Sequence, residues 1–177
     1  GDLHFAVSHV QHIGRRETQQ DVYDILFDGH ALVCTVCDGM GGMSMGAESA
    51  RLAVDCIMDM YTARSGQDDP MTLFLEALNE ANARVFALCG GRGGTTVVLA
   101  GIDASGLHYA CAGDTRIYLY RDGEMRQLGQ DHIFYYDLLT KDVHGPMTPQ
   151  EAAAHPESEH LTSYLGREVL SRVNTSD

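Results

Sequence analysis

The stretch Asp38-Gly39-Met40-Gly41-Gly42 constrains this chain more than any other. An apolar run from Ala31 to Cys37 precedes it and reads as a buried strand. A helical pattern follows it. A lone carboxylate at the tip of a buried strand is held rigidly, as a metal ligand must be. Gly39, Gly41 and Gly42 let the backbone turn sharply and approach a ligand closely. The Asp38 carboxylate and the Gly39 carbonyl are hard oxygen donors of the kind that suit Mg²⁺ or Mn²⁺. The competing reading of the same pattern is a plain strand-to-helix turn with an exposed aspartate.

Around this stretch the chain alternates strands and helices in blocks. Leu3 to Val10 alternates and predicts a strand, and Gly14 to Asp21 a polar loop. Val22 to Phe27 predicts a second strand, joined to the Ala31 to Cys37 strand by a hairpin at Asp28-Gly29. This hairpin would bring the Arg16 to Asp21 loop beside Asp38. Ser44 to Tyr61 predicts a helix with Ala50, Ala53, Val54, Ile57 and Tyr61 on one face. Asp69-Pro70 opens a second helix, whose stripe is Phe74, Leu78, Ala81, Val85 and Leu88, and Gly90-Gly91 ends it.

Strands return over Gly93 to Ile102, Leu107 to Ala112, Thr115 to Tyr120 and Met125 to Leu128, with Asp122-Gly123 as the strongest hairpin signal. Short helices are expected at His132 to Leu139, after the capping box Thr148-Pro149-Gln150-Glu151, and over Leu161 to Leu165. Strands, two helices, strands and then small helices describe an α+β layered domain.

Composition removes several function classes. A chain of 177 residues with 44% apolar content can bury one sizeable core. Its formal charge of −13 is wrong for gripping a phosphate backbone, so no nucleic-acid partner is expected. The same charge repels a phosphorylated substrate unless bound cations neutralise the site. Cys34 and Cys37 form a C-x-x-C, but residues i and i+3 on a strand point to opposite faces. The five cysteines therefore read as reduced core residues of a cytoplasmic protein. No apolar window is long enough for a membrane helix, no signal peptide is visible, and the chain starts at Gly1.

Three aspartates stand at strand or loop ends: Asp21, Asp38 and Asp114. Each alone is an ordinary turn residue. Together, around one mouth, they could hold two hard cations that activate a water.

At this point the chain resembles the metal-dependent, 2C-type (PPM) serine/threonine protein phosphatases, in their bacterial form. RRETQQD is similar to the family's R-x-x-N-x-D, and DGMGGMSMGAESA to its DGMGG-x-x-x-GE-x-A-S. GGTTVVLAGI resembles its Gly-Thr-Thr strand, CAGDTRIYLYRDGEMRQLGQDH its GDSR to DH segment, and HPESEHLTSYLG the segment after its mobile flap. The resemblance implies two packed antiparallel sheets flanked by helix pairs, a single domain over residues 1–177. It implies that Asp38 bridges two Mn²⁺ or Mg²⁺ ions and that the Gly39 carbonyl binds one. Asp21 would orient a metal-bound water, Asp114 would serve a third ion or the outer shell, and Arg16 would grip the substrate phosphate. Water activated by the metals would attack phosphorus in line, with no cysteine nucleophile. Asp131-His132 leads toward the family's flap, although His132 also reads as a plain helix-start residue.

The match departs in three places. Gln19 stands where the bacterial members carry Asn, and Met40 where many eukaryotic members carry a proton-donating His. After Leu165-Gly166 only REVLSRVNTSD follows, without the family's later Ser-Asp-Gly and Asp-Asn, whose aspartates complete the metal site. Ser176-Asp177 is too close to Leu165-Gly166 to replace them. The expectation for these 177 residues is weak activity or none unless more sequence follows.

Three functions follow. The first is a phosphatase acting on phosphoproteins made by a serine/threonine kinase, monomeric and without a membrane partner. The second is an inactive pseudophosphatase that binds or regulates. The third is a hydrolase of small phosphoesters.

Overall fold

The computed structural model describes residues 3–42, 44–66, 68–140 and 145–176. Asp177, which the sequence reading weighed with Ser176, lies outside them. The elements are β1 (Asp21–Phe27), β2 (Leu32–Met40), α1 (Met45–Ala63), α2 (Pro70–Cys89), β3 (Gly94–Thr95), β4 (Val97–Asp103), β5 (Gly106–Ala112), β6 (Ile117–Arg121), β7 (Glu124–Leu128), α3 (Phe134–Thr140), α4 (Pro149–Ala154) and β8 (Asn174–Thr175). β1, β2, β4, β5 and β8 line up in that order as an antiparallel sheet, with β3 also on β2, and β6–β7 form a separate two-stranded sheet. The architecture is α+β, built from antiparallel sheets and helices as the sequence implies.

The helices form where their signals stand. Asp69 caps α2 by accepting from the Thr72 N–H at 2.8 Å, with Pro70 at the first helical position. Gly90, at φ 57°, ends it in the left-handed conformation. On α1 the stripe Ala50, Ala53, Val54, Ile57 and Tyr61 is buried, and on α2 so are Phe74, Leu78, Ala81 and Val85. The expected last member, Leu88, faces solvent instead, because the buried face ends on Cys89. The two helices cover one face of the sheet, against Val33 and Cys37 of β2, Val97 and Leu99 of β4, and Ala110 and Ala112 of β5.

Four residues connect β1 to β2, so the turn is wider than a two-residue hairpin. Asp28 holds it by accepting from the N–H groups of His30 and Ala31, each at 2.9 Å, and by pairing with Arg64. Partial burial works against the Asp28 carboxylate, but these donors prevail and hold its pKa well below the usual range. The Arg64 guanidinium also lies over the Tyr61 ring, 3.6 Å from its centroid, which ties the end of α1 to the turn. Asp122-Gly123 forms the predicted tight turn, with φ of 55° and 83°.

Two of the expected elements do not form. Leu3 to Val10 forms no strand. A strand needs a ladder partner, and this segment is held by side chains instead. Phe5 meets the Phe27 ring edge-on at 5.6 Å and His9 lies 4.9 Å from Tyr23, while Val10 is 93% exposed. Leu161 to Leu165 forms no helix. Leu165 exchanges both backbone bonds with Thr95, at 2.9 and 2.8 Å, and Leu161 bridges Ile133, so the two ends of this run are tied to other segments with a bend between them. Among the described residues no helix is long and apolar enough to cross a membrane.

Candidate active site

Sheet register builds the site. Asp21, the first residue of β1, lies directly opposite Asp38 on β2. The neighbouring pair is the hydrogen-bonded one, with Gly39 N–H donating to the Gln20 carbonyl at 2.9 Å. Asp21 and Asp38 therefore fall at a narrow position, where facing side chains lie closest. Asp38 is not at the tip of its strand as expected. β2 runs on to Met40 because Gly39 and Met40 pair with Thr95 and Gly94 of β3. The turn begins at Gly41, whose φ of 133° suits only glycine.

Gly39 is required for a different reason. A Cβ there would stand 1.9 Å from the Gly46 carbonyl oxygen, so β2 and α1 meet backbone to backbone. The Gln20 side chain closes the gap beside them, donating to the Gly41 carbonyl at 3.4 Å. Gln19, the departure from the family pattern, accepts from the Asp21 N–H at 3.2 Å and so caps the start of β1.

Asp114 follows Gly113 in the turn between β5 and β6. Gly113 is clamped on both sides by His132. Its N–H donates to His132 Nδ1 at 3.0 Å, and its carbonyl accepts from the His132 N–H at 2.9 Å. His132 is thus neither a free ligand nor a helix-start residue, and α3 begins only at Phe134. Behind it, buried Asp131 accepts from Arg116 Nε at 3.0 and 2.9 Å, from Arg116 Nη2 at 2.6 Å, and from Gln127 at 2.8 Å.

Arg16 leaves a turn in which its N–H donates to the Ile13 carbonyl at 3.2 Å. It lines a cavity of about 310 Å³ with Asp21 and Asp38, and one of about 340 Å³ with Asp38, Gly39 and Asp114. A third cavity, of about 540 Å³, reaches Asp38 along the sheet face under residues 7–12. Asp38 is the shared wall of all three. Its pKa is pushed up to about 6, by partial desolvation first, then by the Asp21 and Asp114 carboxylates, with Arg16 opposing. All five residues singled out from the sequence, Arg16, Asp21, Asp38, Gly39 and Asp114, therefore meet around one strand position.

Among the described residues no group of three or more His, Cys, Asp or Glu side chains is arranged to hold a metal ion. The donor chemistry still fits a hard cation. Magnesium is commonly held by one or two carboxylates, with water and substrate phosphate completing its shell. Desolvation first, then the facing carboxylates, disfavours the charged form of Asp38, and a cation beside it would offset both. Thiol chemistry has no support. Burial drives the Cys37 pKa to about 12 and raises those of Cys34, Cys56 and Cys111.

Sequence reasoning named Asp131-His132, the Gly-Thr-Thr strand and the segment containing Gly46, but missed the contacts of His132 with Gly113, of Thr96 with Asp38 and of Gly39 with Gly46. The short motifs were the signal, and the partners were not in them.

The fold and the facing carboxylates define a class: antiparallel α+β domains with an acidic cluster built across two paired strands. The Protein phosphatase 2C family profile matches residues 10–163, and the chain belongs to that family. It is 30% identical over 151 residues to the serine/threonine phosphatase Stp of Listeria innocua, which covers 81% of this chain and 59% of that protein. It is 30% identical over 170 residues to the protein phosphatase PhpP of Streptococcus pneumoniae, covering 91% of this chain and 68% of that one. The PPM Ser-Thr phosphatase MsPP of Mycobacterium smegmatis, solved with cacodylate, superposes with a TM-score of 0.69 at 30% identity, over 91% of this chain and 66% of its own. The chain thus spans about three fifths of the length of the Listeria relative.

Proposed function

We propose that this chain carries the catalytic face of a metal-dependent phosphatase that hydrolyses phosphoserine and phosphothreonine in proteins. The observation that carries the reading is the Asp21–Asp38 pair, in register across β1 and β2, with Arg16 in the adjoining cavity. Asp38, Asp21, the Gly39 carbonyl and Asp114 would hold Mn²⁺ or Mg²⁺, two ions with a third at Asp114. When bound, such ions neutralise phosphoryl oxygens and lower the pKa of water.

The protein's own groups do the rest. The Arg16 guanidinium forks onto two phosphate oxygens and orients phosphorus toward Asp38, which a lysine cannot reproduce. Asp21 accepts a hydrogen bond from water on the same side. Met40, beside them, has no proton to give, so the leaving alkoxide takes its proton from solvent. The relatives' names support phosphoprotein substrates of a serine/threonine kinase. A monomer in the cytoplasm completes the proposal.

The test is hydrolysis of a phosphothreonine peptide with Mn²⁺, with EDTA, and with Asp38→Asn and Arg16→Lys, after the intact mass is measured. Turnover that EDTA and Asp38→Asn abolish, and that Arg16→Lys lowers at least tenfold, supports the proposal. A folded protein without turnover overturns it in favour of a binding module. Turnover on small phosphoesters alone points to a small-molecule hydrolase.

A further inference from the structure

β2 keeps one register on both sides of position 96, with Val36 opposite Val98 and Gly39 opposite Thr95, so Thr96 lies opposite Asp38. The ladder is interrupted between the Val36–Val98 and Gly39–Thr95 pairs. The Thr96 N–H donates to the Asp38 carbonyl at 2.9 Å, as a strand requires. The return bond from the Asp38 N–H goes to the Thr96 hydroxyl, at 3.0 Å, and not to the Thr96 carbonyl. That carbonyl accepts from Thr95 Oγ1 at 2.9 Å instead.

The Thr96 hydroxyl also lies 2.5 Å from Thr115 Oγ1, and Thr115 directly follows Asp114. One buried oxygen therefore touches the backbone of Asp38 and the residue beside Asp114. The methyl group of Thr96 faces the other side of the same turn. A Cβ on Gly113 would stand 2.7 Å from Thr96 Cγ2, so the glycine fits against it with no room to spare.

We propose that Thr96 is a positioning residue, which through the Thr115 hydroxyl fixes the separation of Asp38 and Asp114. The proposal rests on the metal-site reading above. A regular ladder would have satisfied the Asp38 N–H with a carbonyl and left the turn carrying Asp114 held by His132, with no bond to the Asp38 strand through Thr115. Substituting the hydroxyl ties the backbone of Asp38 and the residue beside Asp114, segments distant in sequence, to one atom. Groups that orient ligands in this way change metal affinity 10- to 100-fold when lost.

The test is Mn²⁺ titration by calorimetry on the wild type, Asp38→Asn, Thr96→Val, Thr96→Ser, Thr115→Val and the Thr96→Val/Thr115→Val double variant, with the melting temperature of each metal-free protein. Thr96→Val and Thr115→Val should each weaken Mn²⁺ binding about tenfold or more. Thr96→Ser should stay within about threefold, and the double variant should bind no worse than the weaker single one. Mn²⁺ affinity within about twofold of wild type in both valine variants overturns the proposal, whatever their melting temperatures. Additive losses in the double variant also overturn it, since the hydroxyls would then act separately. Thr115 is half-exposed, so its variant breaks the same bond without disturbing the core if Thr96→Val does not fold. A wild type that binds no Mn²⁺, or binds it no better than Asp38→Asn, overturns the metal-site reading itself and this proposal with it.

Discussion

Gly39 and Gly46 touch without side chains between them. A Cβ on Gly39 would stand 1.9 Å from the Gly46 carbonyl oxygen, and one on Gly46 3.0 Å from the Gly39 carbonyl carbon. The strand bearing Asp38 is thereby seated directly on the first turns of α1. Gly39→Ala must push strand and helix apart, and a loss of about 3 kcal/mol is expected, at the top of the range for overpacking. Gly42→Ala, where a Cβ meets nothing within 4 Å, should stay within about 0.5 kcal/mol. Urea unfolding of both variants checks this, and equal midpoints would refute the close approach.

Asp38 should make the protein's behaviour depend on pH in two ways. Its folded pKa, about 6, lies above the ordinary carboxylate value, so the folded state holds a proton that the unfolded state has released. Without metal, the stability it contributes is present below about pH 4 and is lost as pH rises to 6. Mn²⁺ must displace the same proton, so affinity should be flat above about pH 6 and fall up to tenfold per unit below it. Asp38→Asn should remove the stability slope. An unchanged slope in that variant would assign it to another group.

His132 acts in the opposite direction. Burial first, then the nearby Arg172 charge, lower its pKa, against the pull of Asp131. Its Nδ1 accepts from Gly113, which only the neutral ring can do. The stability it contributes is full above the ordinary histidine pKa and is lost as pH falls below it. His132→Asn, whose amide oxygen can accept the same bond, should flatten the dependence between pH 5 and 7 while keeping the fold. A thermal melt series over that range reads it directly.

Ser49 Oγ is fully buried on α1 and, among the described residues, has no hydrogen-bond partner. A buried hydroxyl without a partner costs about 1–3 kcal/mol. Ser49→Ala should therefore raise the unfolding free energy, read from urea denaturation, by about 1 kcal/mol. A destabilised variant would mean that the hydroxyl is satisfied in solution, by a water or by its own helix.

Local signals in the sequence carried much of this structure. α2 is bounded by its own cap and terminating glycine, and the β6–β7 turn by Asp122-Gly123. Asp38, Asp21 and Asp114 were legible as a set, because each stands in a short motif. What was illegible depends on distant partners. β2 runs on past Asp38 to Met40 because Gly94 and Thr95, beyond both helices, pair with Met40 and Gly39. Leu161 to Leu165 has helical spacing but is tied at its ends to Ile133 and Thr95, and Leu3 to Val10 alternates without finding a ladder. Nothing local distinguishes Thr96 from Thr95, yet only one of them bonds Asp38.

The two ends of the β1–β2 pair are built to opposite electrical plans. At the turn, Asp28 is answered by Arg64 and two amides. At the other end, Asp21 and Asp38 face each other, with the Arg16 charge opposing their repulsion. The strand pair is thus locally frustrated at one end and locked at the other. When the carboxylates repel, the domain has a fixed hinge to strain against rather than a seam along which to come apart. A cation bound there as proposed would relieve the frustrated end most, adding to the hold that the Thr96 hydroxyl already has on the Asp38 backbone.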